Sequence, residues 1–331
     1  DSIMMKGIVS LLAAATILVP GLVQAAELSG KVVVYCPSPA KMADKLAEGF
    51  TKKTGVKVEM FQGTTGEIMA RLEAERANPV ADVVIMASWP DGLAMKEKGL
   101  LASYAPALSD RMVSGWKDED NMLFGTSASA VGVLYNTRLV PELSADWGEL
   151  ARPEFKDMLA LPDPVKSGSC KDFLSGFMYA FGEDKGWKVW EDLAAQGMTI
   201  PGANKAALEA VITGEKAVLI AGVDYNAFSS AAKGEPLAIY YPKSGTVVNP
   251  RPAMILKSSR NMENAKAYMD YLLSDEAQKM VCDAYLLPGR ADVKNTNRTA
   301  LSDIRQLEVN WDWMMEHSTD IATRMVKMLR K

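Results

Sequence analysis

Residues 125–136 read GTSASAVGVLYN, and residues 246–256 read TVVNPRPAMIL. Both are long extended runs of small and β-branched residues, and the prolines of the second suit an edge strand or a hinge. Elsewhere the chain keeps a rhythm of strand, polar turn and helix, which these two stretches break. They read as crossings between two lobes, with enough chain between them to build the second lobe. A single core stops growing at roughly 250 to 300 residues, so a chain of 331 residues is expected to divide.

Outward from the crossings, the rhythm repeats five times. Lys31 to Tyr35 (KVVVY) leads into Cys36-Pro37-Ser38-Pro39 and a helix ending near Gly55, with Ser38 suited to the N-cap, Pro39 to the first turn and Gly55 to the stop. Val56 to Phe61 leads into Gly63-Thr64-Thr65-Gly66-Glu67, where Thr64 and Glu67 have capping-box spacing. Asp82 to Met86 leads into Ser88-Trp89-Pro90-Asp91, and Met158 to Leu161 into Ser167-Gly168-Ser169-Cys170. Ala217 to Ile220 leads into Gly222-Val223-Asp224-Tyr225-Asn226, with Gly234 closing that helix. Such units predict an α/β fold of two lobes, with mixed, mostly parallel sheets and two crossing hinge strands. The expected division is 26–127 with 252–288 in one lobe, and 128–251 with 289–331, including Met- and Trp-rich C-terminal helices, in the other.

Composition narrows the function. The chain is 48% hydrophobic and 24% charged with prolines and glycines dispersed, which is globular and excludes disordered, collagen-like and coiled-coil classes. A net charge of −4 argues against a nucleic-acid partner, which needs a basic face. The one histidine, His317, removes most histidine-based chemistry. Residues 5–25 read as a signal peptide: Lys6, the apolar run Ile8 to Val19, then Val23-Gln24-Ala25 as cleavage site. The mature product is expected to be exported and soluble, since no cysteine at the cleavage point offers a lipid anchor and no later segment is apolar enough to span a bilayer. Cys36, Cys170 and Cys282 are too widely spaced for a zinc site and read as buried thiols. Cys36 and Cys170 lie on turns assigned to opposite lobes, and both are expected to face the cleft.

In open α/β sheets ligands bind outside the carboxyl ends of the strands, where all five turns lie. A helix N-terminus offers unpaired N–H groups and positive potential, so several together suit an anion. Thr64-Thr65-Gly66 and Ser167-Gly168-Ser169 hold more hydroxyls and glycines than capping requires, which lets a ligand approach the backbone. Of the nearby cations, Lys166, Lys243, Arg251 and Arg290 read as solvated or hinge residues, with Arg251 on the crossing strand able to reach a phosphate bidentately.

In this order VVVYCPSPAK, GTTGEIMARLEAERANPVADVVIMAS, GTSASAVGVLYN, SGSCKDFL, GVDYNAF and YYPKSGTVVNPRPAMIL resemble the periplasmic solute-binding proteins of ABC importers, and within them the branch of ferric-ion, sugar-phosphate and 2-aminoethylphosphonate binders. The likeness runs from about Glu27 to Val293. It implies the two-lobed type II binding-protein fold, closure around a solute, and delivery to a membrane permease, with no cofactor and no catalysis. Ferric binders of the branch use an early His or Glu and a consecutive tyrosine pair falling at Asp224-Tyr225-Asn226. Here only Tyr225 is present, so iron held by Tyr225 with a synergistic anion is the alternative. Tyr240-Tyr241 lies on an apolar strand whose alternation sends the rings to opposite faces.

The favoured expectation is a monomeric receptor for a small anionic, phosphorylated organic solute. Ser38, Thr64, Thr65, Gly66, Ser88, Ser127, Ser167, Gly168 and Ser169 would hold the anion, and Tyr225, Asn226 and Asn249 would read the rest. A third reading is a serine penicillin-recognising enzyme, because Ser38-Pro39-Ala40-Lys41 fits Ser-x-x-Lys and both Lys166-Ser167-Gly168 and Lys243-Ser244-Gly245 mimic its Lys-Thr-Gly partner. Pro242 directly before Lys243 disturbs the strand that partner needs.

Overall fold

The computed structural model describes residues 27–330, so the expected signal segment 5–25 lies outside the described residues. The first lobe begins with β1 (Lys31–Cys36), α1 (Ala40–Thr54), β2 (Lys57–Gln62), α2 (Thr65–Ala74), β3 (Val83–Ile85) and α3 (Trp89–Glu97). β4 (Phe124–Asn136) then carries the chain across to β5 (Leu159–Ala160), α4 (Gly168–Phe181), α5 (Glu183–Ala195), α6 (Asn204–Ile212), β6 (Val218–Val223), α7 (Asp224–Ala232) and β7 (Leu237–Tyr240). β8 (Val248–Ile255) returns it to α8 (Met262–Leu272), α9 (Asp275–Asp283) and β9 (Leu287–Pro288), and α10 (Trp311–Leu329) closes the described chain.

β1 is buried along Val32–Cys36 on both faces, as a parallel strand between helical layers must be. Its neighbours β2 and β3 run parallel to it. α1 buries Met42, Ala43, Leu46, Gly49 and Phe50 at helical spacing and ends on Gly55 with φ 77°, a left-handed geometry that glycine adopts without strain. Phe50 meets Tyr268 of α8 edge to face at 5.0 Å. In the second lobe β5 and β6 are parallel, and Phe173 and Phe177 of α4 pack on Trp147 and Trp190. Parallel pairing thus holds inside each lobe, while every pairing of β4 or β8 is antiparallel.

The two expected crossings are these antiparallel strands. Phe124 to Ala130 pair with β8, whereas Val131 to Tyr135 pair with β6 and residues 133–136 with β7, so one strand belongs to both lobes. The hydrophobic clusters divide at the same place: Ala128 and Ala130 lie in the first core and Val131 and Val133 in the second. The stretch from Gly289 to Ile304, expected with the second lobe, packs on the first: Ile304 lies in its core and Arg290 donates to the carbonyl of Leu273. α10 lies on α4, with Met314, Ile321 and Met325 in the second core.

Two bulges shape the junction. Gly125 pairs with Pro252 but Ser127 with Arg251, leaving Thr126 unpaired on β4, and its carbonyl accepts from Gly289 and Gln278 instead. On β6, Ala221 is the extra residue between Ile220 and Gly222 and takes φ 60°. A bulge bends its strand and redirects the chain beyond it, here the start of α7.

Candidate functional site

The turns after β1, β2, β5 and β6 meet at a cavity of about 90 Å³ between the lobes. From the first lobe Ser38, Thr64 and Thr65 line it; from the second come Ser167, Gly168, Ser169 and Tyr225. Thr64 caps α2 with the expected capping box, and Ser167 caps α4 by accepting from the Cys170 N–H. Ser38 does not cap α1: Pro39 holds the N-cap position without a side-chain bond, so the Ser38 hydroxyl is free of that duty.

The other expected residues lie elsewhere. Gly66 is not part of the lining; its N–H lies 3.5 Å from the carbonyl of Lys166 across the lobes. Ser88 caps α3 and donates at 2.8 Å to Asp172 of α4. Ser127 is buried opposite Arg251, Asn226 lies on α7 outside the lining, and Asn249 is fully buried opposite Ser129 with both amide atoms unpartnered. Residues the turns did not flag also line the cavity: Ser129, Asn204 and Lys205. Ser129 was reachable by strand alternation from Ser127, and Asn204 follows the Pro201-Gly202 turn at the start of α6.

Arg251 is the largest departure from expectation. It is 1% exposed rather than solvated, and it lines the cavity from β8. Its Nη2 donates to the Ser38 carbonyl at 2.7 Å, while its Nε is buried without a partner. No acidic side chain among the described residues pairs with it, and its guanidinium stands 6.0 Å from the ring centroid of Tyr225. Burial raises the Tyr225 phenol, and the positive charge of Arg251 partly opposes that rise. A buried cation is normally paired or hydrogen-bonded, because desolvation otherwise costs several kcal/mol. Arg290 is likewise buried, but it is paired with Asp275 and Asp292. Lys166 and Lys243 are exposed as expected.

The acids near the cavity are engaged elsewhere. Asp224 accepts from Ala130 N–H, from Tyr241 and, at 2.6 Å, from Arg298 in a fully buried pair. Asp91 of α3 pairs with Lys171 of α4 at 2.7 Å. Among the described residues no group of three or more His, Cys, Asp or Glu side chains is placed to hold a metal. Lys166-Ser167-Gly168 does line the cavity with Ser38, but Lys41 is exposed and outside it and Ser244 donates to Asp146, so the Ser-x-x-Lys half of the penicillin-recognising motif is not assembled there. Cys36 and Cys170, expected to face the cleft, are instead buried in separate cores, where the Cys170 thiol points to the carbonyl of Pro162. What the cavity offers is the N-termini of α2, α4, α6 and α7, hydroxyls and an uncompensated guanidinium, a set of donors for an anion.

Comparison with known proteins agrees with this architecture. A putative 2-aminoethylphosphonate-binding periplasmic protein of Salmonella typhimurium is 26% identical over 279 residues, covering 80% of this chain and 81% of that one. The fructose-6-phosphate-bound periplasmic binding protein AfuA of Actinobacillus pleuropneumoniae superposes with a TM-score of 0.82 at 22% identity, over 91% of this chain and 99% of AfuA. Iron-bound HitA of Pseudomonas aeruginosa gives 0.78 at 19% identity, over 89% and 99% of the two chains. The first two are by name periplasmic binding proteins. The model of bacterial extracellular solute-binding proteins matches residues 78–317, and this chain belongs to that family of periplasmic solute-binding proteins.

Proposed function

We propose that the protein captures a small anionic, phosphorylated organic solute, a sugar phosphate or a phosphonate, and works as a monomer that passes it to an ABC permease. The observation that carries this reading is Arg251, buried in the cavity with an unpartnered Nε and no acidic neighbour to neutralise it. A phosphoryl group supplies what that guanidinium lacks, two oxygens in bidentate geometry, and its remaining oxygens meet the hydroxyls of Ser38, Thr65, Ser167 and Ser169. Gly168 lets the backbone of α4 approach it. The relatives named for 2-aminoethylphosphonate and fructose 6-phosphate support the phosphorylated class.

The bodies that close are proposed to divide at Ala130 and Val131 on β4 and at Val247 and Val248 before β8, where the two cores meet. Proteins of this fold close by hinge motion about such crossings. An iron relative and an iron-bound neighbour exist, yet one buried tyrosine beside a guanidinium is a poor cradle for a trivalent cation.

Thermal unfolding with phosphonates, sugar phosphates and ferric citrate side by side tests the proposal. A ligand that binds only the folded state raises the transition by mass action. Phosphorylated compounds are expected to raise it. A rise with iron alone, accompanied by a visible tyrosinate absorption, overturns the reading.

A further inference from the structure

We infer that the solute carries no cationic group: the cavity accepts a phosphoryl head on a short, neutral, hydroxylated tail and discriminates against zwitterionic aminophosphonates. This rests on the anion reading of the same cavity. Its charged lining is of one sign. Buried Arg251 and exposed Lys166 and Lys205 line it, whereas among the described residues no aspartate or glutamate does.

The carboxylates just outside are not available to an ammonium. Asp224 is shut in a fully buried pair with Arg298, and Asp91 is held by the Lys171 ammonium. Asp172 accepts from Ser88, and its surroundings hold it toward the neutral acid, so it offers no compensating charge. In a short aminophosphonate the ammonium stays within a few ångströms of the phosphoryl group. Closing the lobes would therefore bury it beside the guanidinium that binds the phosphoryl, with no anionic partner of its own. Like charges brought together out of water oppose binding strongly.

A hydroxyl meets the opposite situation. Asn204 and Ser129 line the space, and the Oδ1 of the one and the Oγ of the other are buried without a partner. Each can accept from an uncharged O–H, which satisfies a buried polar atom without adding charge. A cavity of about 90 Å³ is also far below the roughly 300 to 1,000 Å³ of pockets that take drug-sized ligands, so the tail is short.

The test is calorimetric titration with 2-hydroxyethylphosphonate and 2-aminoethylphosphonate, which match in length and differ in the terminal group. The hydroxy compound is expected to bind at least ten-fold more tightly. Asn204→Asp, which places a carboxylate in the lining, is expected to narrow or reverse that preference. Equal or tighter binding of the amino compound to the parent protein overturns this inference and leaves the anion reading standing. Failure of both compounds and of phosphate monoesters to bind overturns the anion reading itself, and the inference with it.

Discussion

Gly168 of α4 rests against Thr65 of α2 so closely that a Cβ at position 168 would stand 3.1 Å from Thr65 Oγ1 and 3.2 Å from Ser88 Cβ. The relation is nearly reciprocal, since a Cβ on Gly66 would come 3.1 Å from the carbonyl of Val165. The ends of two helices, one from each lobe, thus touch through glycine faces at the rim of the cavity. Gly168→Ala is expected to leave the melting temperature of the solute-free protein almost unchanged, because Gly168 opens α4 and alanine suits a helix. The added methyl holds the lobes apart and is expected to weaken affinity about ten-fold, or about 1.4 kcal/mol. Calorimetric titration checks it, and unchanged affinity would show that the lobes do not need this approach.

Arg251→Met separates binding from stability. Methionine fills much of the space of an unpaired buried guanidinium without its desolvation cost. The solute-free variant is expected to melt no lower than the parent, while the phosphorylated ligand is lost by about a hundred-fold, two charge-assisted bonds at about 1.5 kcal/mol each. A lower melting temperature with retained affinity would make Arg251 a structural residue.

Asp172 gives a pH dependence with a definite sign. Burial first, and then the negative charge of Asp91, push its carboxyl well above the ordinary 3.8, against the pull of Lys171 and the Ser88 hydroxyl. The folded protein therefore keeps a proton that the unfolded chain releases. Stability from this group is complete below pH 3.8 and falls as pH rises through that value toward the folded-state pKa. Asp172→Asn is expected to gain on the parent as pH increases from 3 to 7 in thermal melts; parallel profiles would refute it.

The thiols offer a simple probe. Burial pushes Cys36 up to about 11 and Cys170 well above its ordinary value, whereas Cys282 is only partly buried. An aromatic disulfide reagent is expected to titrate one thiol in the native protein and three after denaturation, with solute leaving the native rate unchanged. Solute-dependent labelling of Cys36 or Cys170 would place them in the cleft after all.

The α/β class and both crossings were legible because they rest on local signals. Capping at Thr64, Ser88 and Ser167 and the stop at Gly55 are read from neighbours a few residues apart. The extended character of GTSASAVGVLYN is equally local, and it became β4 at nearly the expected bounds. Arg251 was harder, since its burial depends on Ser38 and Tyr225, which reach it from distant parts of the chain. The fate of Ser88 and Gly66, drawn into contact between the lobes rather than into the cavity, depends on how close α2, α3 and α4 come. Cys36 and Cys170 are buried thiols as expected, but they do not face the cleft, because a position at a strand end does not decide whether a side chain points to the cleft or to the core.

The insertion of the second lobe between β4 and β8 also governs how the chain can be made. β3 finds its partner in β8, with Val83 beside Ile255, about 170 residues later, and loop closure over that span is slow. Until the last quarter of the chain arrives, the sheet of the first lobe has an unfilled edge and Phe50 lacks the tyrosines of α8. A nascent molecule therefore cannot complete its first lobe until most of the chain has been synthesised.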